Sequence, residues 1–214
     1  MKVLDLEQGS AEWRSARLGM VSASRMADML ATTKTGWGAS RANYAAELIV
    51  ERLTGTPTEK YTNAAMAWGT ENEEDARNGY AFLRDAEITS VGLVLHPTIE
   101  MACASPDGLV GDHGLIEVKC PLTATHIETL LSETIPDKYA KQMQWQMACT
   151  GRQWCDFVSF DPRVPAEMQF FIRRVERDSH RITEMEAAVK DFLAEIASTL
   201  SKLQAKFQTT RAAA

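Results

Sequence analysis

The chain has 214 residues, a formal net charge of −6, 45% hydrophobic and 24% charged residues. That length suits one α/β domain with a sizeable core, and the composition is that of an ordinary soluble globule, not a disordered or fibrous chain. No run approaches the roughly 18 uncharged apolar residues of a membrane span. Met1-Lys2-Val3-Leu4-Asp5 lacks a secretory apolar core, and Cys103, Cys120, Cys149 and Cys155 are too scattered for a zinc site or disulfide framework. A reducing cytoplasm, with no membrane partner, is the expected setting.

In chain order, Ser40 is expected to cap a helix to about Leu53, with Tyr44, Leu48, Ile49 and Leu53 on one stripe and Gly55 after its end. Thr62 is expected to cap a second helix to about Leu83, bringing Met66, Glu73, Ala76 and Tyr80 near one face, with Gly69 weakening its middle. Residues 87–95, 100–104, 108–110 and 115–119 read as short strands, separated by Pro97 and the turn Gly111-Asp112-His113-Gly114. Helices are expected over 126–133 and 137–149, the second carrying Gln142, Gln144 and Gln146, and strands over 154–160 and 168–176. A long helix starts near Ser179, where Ile182, Met185, Val189, Phe192, Ile196 and Leu203 recur at three- and four-residue steps. The expected fold class is α/β: one domain over residues 1–207, a central mixed β-sheet flanked by helices, a long C-terminal helix, and a disordered tail at 208–214.

Charge is unevenly spread. Residues 1–60 hold eight Lys/Arg against seven Asp/Glu, and 121–214 hold twelve of each, but 61–120 hold three against ten. Within that acidic third, Asp107 of Ser105-Pro106-Asp107-Gly108 precedes Glu117-Val118-Lys119. Side chains alternate along a strand, so Glu117 and Lys119 share a face while Ile116 and Val118 take the other. Two carboxylates and a lysine among aliphatics make either a strand salt bridge or a seat for a hard divalent cation, with the Val118 carbonyl as a further oxygen ligand. In the second case Lys119 would orient or deprotonate water and offset charge on a phosphorane-like transition state.

Register decides whether Asp107 can take part. Symmetric pairing across a four-residue turn at 111–114 sets Asp107 opposite Val118, on the wrong face. Pairing with Glu117 needs an odd loop or a bulge, and a bulge is the expectation.

Other residues are ambiguous by themselves. Glu73 fits an exposed turn with an i,i+4 partner in Arg77, or an accessory acid. Gln142 and Gln144 are ordinary helix formers unless one turns inward. The run Trp13-Arg14-Ser15-Ala16-Arg17-Leu18-Gly19…Ser22-Ala23-Ser24 joins arginines to hydroxyls and reads as an anion pocket or as an amphipathic turn with an N-cap serine. His96, His113, His126 and His180 are dispersed and read as structural or surface residues.

Taken together these stretches, with Ala67-Trp68-Gly69, Tyr139…Gln142-Met143-Gln144 and Phe160-Asp161-Pro162-Arg163, resemble the lambda-type phage exonucleases. These are the YqaJ-like viral recombinase family of the PD-(D/E)xK nuclease superfamily. The resemblance spans about residues 13–178 and implies a restriction-endonuclease-like core. It implies an exonuclease digesting one strand of linear duplex DNA from a 5′-phosphate end to 5′-mononucleotides, leaving a 3′ overhang for recombination by strand annealing. By position, Asp107 and Glu117 become ligands of one or two Mg²⁺ ions (Mn²⁺ also serving), Lys119 the catalytic lysine, Glu73 the accessory acid and Gln142 a water- or lysine-positioning residue. Arg17, Ser24, Ser22 and Trp13 fall in the stretch that binds the 5′-phosphate, and Ser105 touches the DNA backbone. Lys34, Trp37 and Arg41 are the residues to consider at the duplex end, where the chain departs from the family pattern. A homotrimeric ring and a phage single-strand annealing protein are the implied partners, in the cytoplasm of a bacterial host. The alternatives are a PD-(D/E)xK endonuclease, restriction-like or junction-resolving, and a non-catalytic DNA-binding scaffold, which intact Asp107, Glu117 and Lys119 argue against.

Overall fold

The structure, a computed structural model, describes residues 1–58 and 64–212. In order come β1 (Lys2–Leu4), α1 (Ala11–Ala16), β2 (Val21–Ser22), α2 (Met26–Met29), β3 (Thr32–Thr33), β4 (Gly36–Trp37) and α3 (Ala39–Thr54). The middle holds α4 (Ala64–Arg84), β5 (Ile88–Thr89), β6 (Leu93–Leu95), β7 (Ala102–Ala104), β8 (Gly108–Val110) and β9 (Gly114–Lys119). The remainder is α5 (Thr123–Ser132), α6 (Asp137–Thr150), β10 (Trp154–Phe160), β11 (Phe170–Glu176) and α7 (Ser179–Ala212). No described helix is long and apolar enough to cross a membrane.

The α/β class with mixed pairing holds, but the strands divide between two main sheets instead of one. A five-stranded sheet runs β11-β10-β9-β8-β5, parallel only between β9 and β10, and a four-stranded sheet runs β1-β6-β7-β2, parallel only between β2 and β7. The β3–β4 hairpin stands apart. Residues 87–95 therefore split, with β5 in one sheet and β6 in the other. Gly92 sits at that break because the main chain of Leu4 and Leu6 crosses it so closely that a Cβ would lie 2.5 Å from their carbonyl oxygens. No side chain larger than hydrogen fits there.

The second crossing is Ser105-Pro106-Asp107, which carries the chain from β7 to β8. Pro106 has no N–H to offer a ladder, so strand pairing stops where the chain leaves one sheet for the other. Asp107 consequently lies at the junction of the two sheets, beside Ser22 of β2 and Glu117 of β9.

The long apolar stripe of α7 holds as expected for Ile182, Met185, Val189, Phe192 and Ile196, all buried, while Leu203 is half-buried. With Tyr44 and Leu48 of α3 and Met143, Trp145 and Met147 of α6 they form the larger core. Ala76 and Tyr80 of α4 join Ile116, Val118, Val158 and Phe160 in a second core on the other face of the five-stranded sheet. β9 is thus buried on both sides.

Several local expectations change. Gly38, not Ser40, precedes α3 as its cap and offers no side chain, and Leu53, in the last turn, is exposed. Gly55 ends the helix in the left-handed conformation, as expected. Thr62 and the Met66 side chain lie outside the described residues. α5 begins at Thr123, earlier than residue 126, and β11 begins at Phe170 because Ala166–Met168 forms a 3-10 turn. β7 begins only at Ala102, after Met101 with φ +61°. α7 continues to Ala212, past Phe207. All four cysteines are buried and free.

Candidate active site

Glu117 is held by the centre of β9 and is fully buried, so its charge needs partners supplied by the protein. They come from α6: Gln142 Nε2 donates to Oε1 at 2.6 Å and Gln146 Nε2 donates to Oε2 at 2.5 Å. The two glutamines are four apart and share a helix face. Lys119, two residues along β9, places its ammonium on the same Oε1 and over the Tyr139 ring, 5.4 Å from its centroid. The salt bridge that the strand pattern allowed is therefore present, inside a wider acid cluster.

The register brings Asp107 to it. Gly108 pairs with Ile116, Leu109 with Leu115 and Val110 with Gly114, so the loop is the three residues Gly111–His113. Gly111 takes φ +50° to close it. Extended by one residue, this pairing sets Asp107 across from Glu117. An odd loop does what a bulge was expected to do, and the paired residues contain no bulge. Asp107 Oδ2 then accepts the Val118 N–H at 2.6 Å.

Burial, reinforced by the charges of Glu117 and Glu73, pushes the Asp107 carboxyl well above the usual carboxylate range, against the pull of Lys119. Burial favours the neutral amine of Lys119, but Glu117 and Asp107 outweigh it and raise its pKa. With these acids facing it, Lys119 is held as a cation, suited to orienting water and neutralising charge.

Glu73 makes the i,i+4 pair and also faces the acids. It lies 3.6 Å from Arg77, one turn on, and with Arg77 and Asp107 it lines an open cavity of about 660 Å³. Trp68, Asp161 and Arg163 explain how α4 is set there. The Arg163 guanidinium lies 4.0 Å from the Trp68 ring centroid, bonds to the Asp161 carboxylate at 2.7 Å, and donates to the Pro121 carbonyl at 3.1 Å. The start of α4 is pinned to the ends of β9 and β10.

The N-terminal hydroxyl and arginine residues converge on the same place. Trp13, Arg17, Ser22, Ser24, Ser105, Asp107 and Gln142 line one cavity of about 170 Å³. The Arg17 guanidinium sits 4.3 Å from the Trp13 ring centroid and donates to Ser22 Oγ at 3.0 Å. Trp13 Nε1 in turn donates to Ser105 Oγ at 3.0 Å, and the Ser22 and Ser24 hydroxyls lie 3.4 Å apart. Ser22 precedes a 3-10 turn without capping it through its side chain; the capping serine of this region is Ser10, which accepts the Trp13 N–H. The anion-pocket reading of this run fits the geometry better than the N-cap reading.

At the hairpin, Trp37 is 53% exposed and Lys34 is exposed, but Arg41 is only 5% exposed. Arg41 pairs with Glu195 of α7 at 2.6 Å and lies between the Trp37 and Phe192 rings. As a duplex-end contact Arg41 is corrected to an internal prop beneath Trp37. Gln144 also turns away from the acids, donating to the Glu176 carbonyl and accepting the Asp178 N–H. The histidines stay outside the site: His126 bridges Ser159 and the Met168 carbonyl, His96 stacks on Trp145, His113 is in the β8–β9 loop, and His180 is exposed on α7.

Two residues were missed. Gln146 carried a usable signal, its i,i+4 relation to Gln142. Gln8 carried none; its amide donates to the carbonyls of Val91 and Pro106, both at 2.8 Å, and braces the sheet crossing beside Asp107.

Among the described residues, no three Asp, Glu, His or Cys side chains converge as a ready-made metal cluster. The donors available are the two carboxylates and the Val118 carbonyl. They fit a hard divalent cation, because two acids held together out of water repel each other and a cation relieves that repulsion.

Residues 12–153 match the YqaJ-like viral recombinase domain. An alkaline exonuclease from Laribacter hongkongensis, LHK-Exo, is 54% identical; the match covers 94% of this chain and 100% of that one, with a TM-score of 0.88. The same exonuclease in complex with dAMP matches with the same identity and coverage and a TM-score of 0.89. A phage-related exonuclease from Haemophilus somnus shares the fold at 16% identity, over 86% of this chain and 96% of that one, with a TM-score of 0.71. No curated protein matches the chain. On the domain match and the 54% identical relative, the chain belongs to the YqaJ-like viral recombinase family.

Proposed function

We propose that this protein is a divalent-cation-dependent 5′-to-3′ exonuclease. It would digest one strand of linear double-stranded DNA to 5′-mononucleotides and leave a 3′ overhang for phage-type recombination by strand annealing. The observation that carries the reading is the shared cavity. A hydroxyl and guanidinium pocket suited to a phosphate monoester opens onto Asp107 and Gln142, and Gln142 bonds to Glu117 in the acid and lysine cluster suited to cutting a phosphodiester. An endonuclease has no use for the first of these beside the second. The family and the exonuclease relatives support the same reaction class.

Asp107, Glu117 and the Val118 carbonyl would hold Mg²⁺ or Mn²⁺, with two ions during cleavage. Bound cations would lower the pKa of the attacking water and offset charge on the departing 3′-oxygen. The chain's own residues do the rest. Arg17, Ser22 and Ser24 donate to the terminal 5′-phosphate and so set which phosphodiester lies at the acids. Trp13 fixes Arg17 by stacking and Ser105 by its indole N–H, leaving Ser105 to contact the backbone. Lys119 is positively charged before DNA arrives and stabilises negative charge accumulating on the phosphorus oxygens. Glu73 accepts a hydrogen bond from the attacking water, and Gln142 keeps Glu117 in place while Lys119 works beside it.

Trp37 and Lys34 would meet the duplex end. The net charge of −6 suits a closed homotrimeric ring whose DNA-facing cations are turned inward, and a phage single-strand annealing protein would receive the overhang. The test is a linear duplex labelled at either end. Early release of a labelled mononucleotide from the 5′ label, with the 3′ label retained on long product, is expected; the reverse order refutes the polarity.

A further inference from the structure

We infer that Gln146 is a positioning residue of this centre, one arm of a two-amide fork that fixes the orientation of Glu117. The inference rests on the cation-site reading above and names a residue to which the family resemblance gave no role.

Gln142 and Gln146 project from the same face of α6 and take different oxygens of one carboxylate, Oε1 at 2.6 Å and Oε2 at 2.5 Å. A carboxylate tied at one oxygen still pivots about its last bond; tied at both, it does not. Lys119 is on Oε1, so Gln146 on Oε2 keeps Oε1 facing Lys119 and the cavity side. Gln146 is fully buried and touches no solvent, so its amide is committed to this contact.

The far end of the amide explains why glutamine stands there. Its Oε1 lies 3.9 Å from the buried Cys155 Sγ, which donates to it. A thiol donor on one side and a carboxylate acceptor on the other permit only one of the two amide orientations, with the NH₂ toward Glu117. Methionine or leucine would fill the space and leave Oε2 bare. Gln144, between the two arms, faces Glu176 and Asp178 and has no part in the fork.

Holding a ligand carboxylate in this way is what outer hydrogen bonds do at metal sites, where their loss costs about 10–100-fold in affinity or activity. The test compares wild type with Gln146→Met, which keeps the volume and removes the donor, and with Gln144→Met as a control on the same helix. Calorimetric titration of the DNA-free protein with Mn²⁺ gives cation affinity, and steady-state digestion of a 5′-phosphorylated duplex separates kcat from KM. Gln146→Met is expected to weaken Mn²⁺ binding and lower kcat, each by about 10–100-fold, at unchanged KM; Gln144→Met leaves both unchanged. Gln146→Asn, polar and shorter by one carbon–carbon bond of about 1.5 Å, retains folding if the methionine variant does not, and is expected to show the same losses. A folded Gln146 variant with wild-type Mn²⁺ affinity and kcat, and only a lower melting temperature, reduces Gln146 to packing and overturns the inference. Wild-type protein that takes up no Mn²⁺ overturns the cation reading beneath it, and the inference with it.

Discussion

The Asp107 carboxylate accepts the main-chain N–H of Val118 at 2.6 Å, which fastens the crossing between the two sheets to the strand that presents Glu117 and Lys119. The contact exists because the intervening loop has three residues. A fourth residue would shift the pairing by one half-step and send Asp107 to the other face.

Inserting one glycine after Asp112 is therefore expected to abolish digestion while the protein stays folded, since the loop is exposed and lies at the far end of the hairpin from the acids. Circular dichroism and thermal melting check the fold, and activity on linear duplex checks the register. An active insertion variant removes the register argument.

Lys119 sits as a cation beside two acids, so a neutral side chain there removes charge stabilisation. Lys119→Gln is predicted to lower kcat by about 10²–10³-fold, the effect of deleting one preorganised donor to a developing negative charge. DNA binding, measured by fluorescence anisotropy with Ca²⁺ in place of Mg²⁺, is predicted to persist.

Arg17 donates to Ser22 and stacks on Trp13, which leaves its remaining N–H groups for a ligand. Arg17→Ala is predicted to erase the preference for a 5′-phosphate over a 5′-hydroxyl end. A charge-assisted hydrogen bond contributes about 1.5–3 kcal/mol, or roughly tenfold to a hundredfold in rate ratio. Parallel digestion of the two substrates by wild type and variant measures that ratio.

Acid stability has a specific origin in Asp161. Burial disfavours its charged form, but hydrogen bonds from Arg163 and Thr123 outweigh this and hold its pKa down to about 2, from 3.8. A depressed folded pKa means that the unfolded chain binds the proton first as pH falls. This stabilisation is fully present above about pH 4 and is lost as pH falls through about 2. Urea melts between pH 5 and 2 are predicted to show a steep loss for wild type and a shallower one for Asp161→Asn, which starts lower.

Much of β9 was readable from the chain because alternation alone places Glu117 and Lys119 on one face. The register was not, since it turns on whether Gly114 closes the loop or opens β9, and only pairing with Val110 decides that. The division into two sheets was hidden for a similar reason. Gly92 looks like the interior of one strand over 87–95 and Pro106 like an ordinary break between strands, and nothing local says that the chain changes sheets at either. Arg41 was a candidate because it lies in the loop where the chain departs from the family pattern at the duplex end. Its partner Glu195 lies 154 residues away, beyond any sequence window. Three glutamines at alternate positions of α6 were indistinguishable by propensity, and the helical phase that separates Gln146 from Gln144 acquires meaning only once Glu117 is placed opposite.

One measurement bears most directly on the claim that a 5′-phosphate pocket and a cation-dependent cutting centre share a cavity. Linear duplexes with 5′-phosphate or 5′-hydroxyl ends, and a supercoiled circle, are incubated with the protein in Mg²⁺ and in excess EDTA. The predicted result is mononucleotide release from the phosphorylated linear duplex in Mg²⁺, slower release from the hydroxyl end, an intact circle, and no reaction in EDTA. Nicking of the circle as fast as linear DNA is degraded, or digestion that survives EDTA, would contradict it.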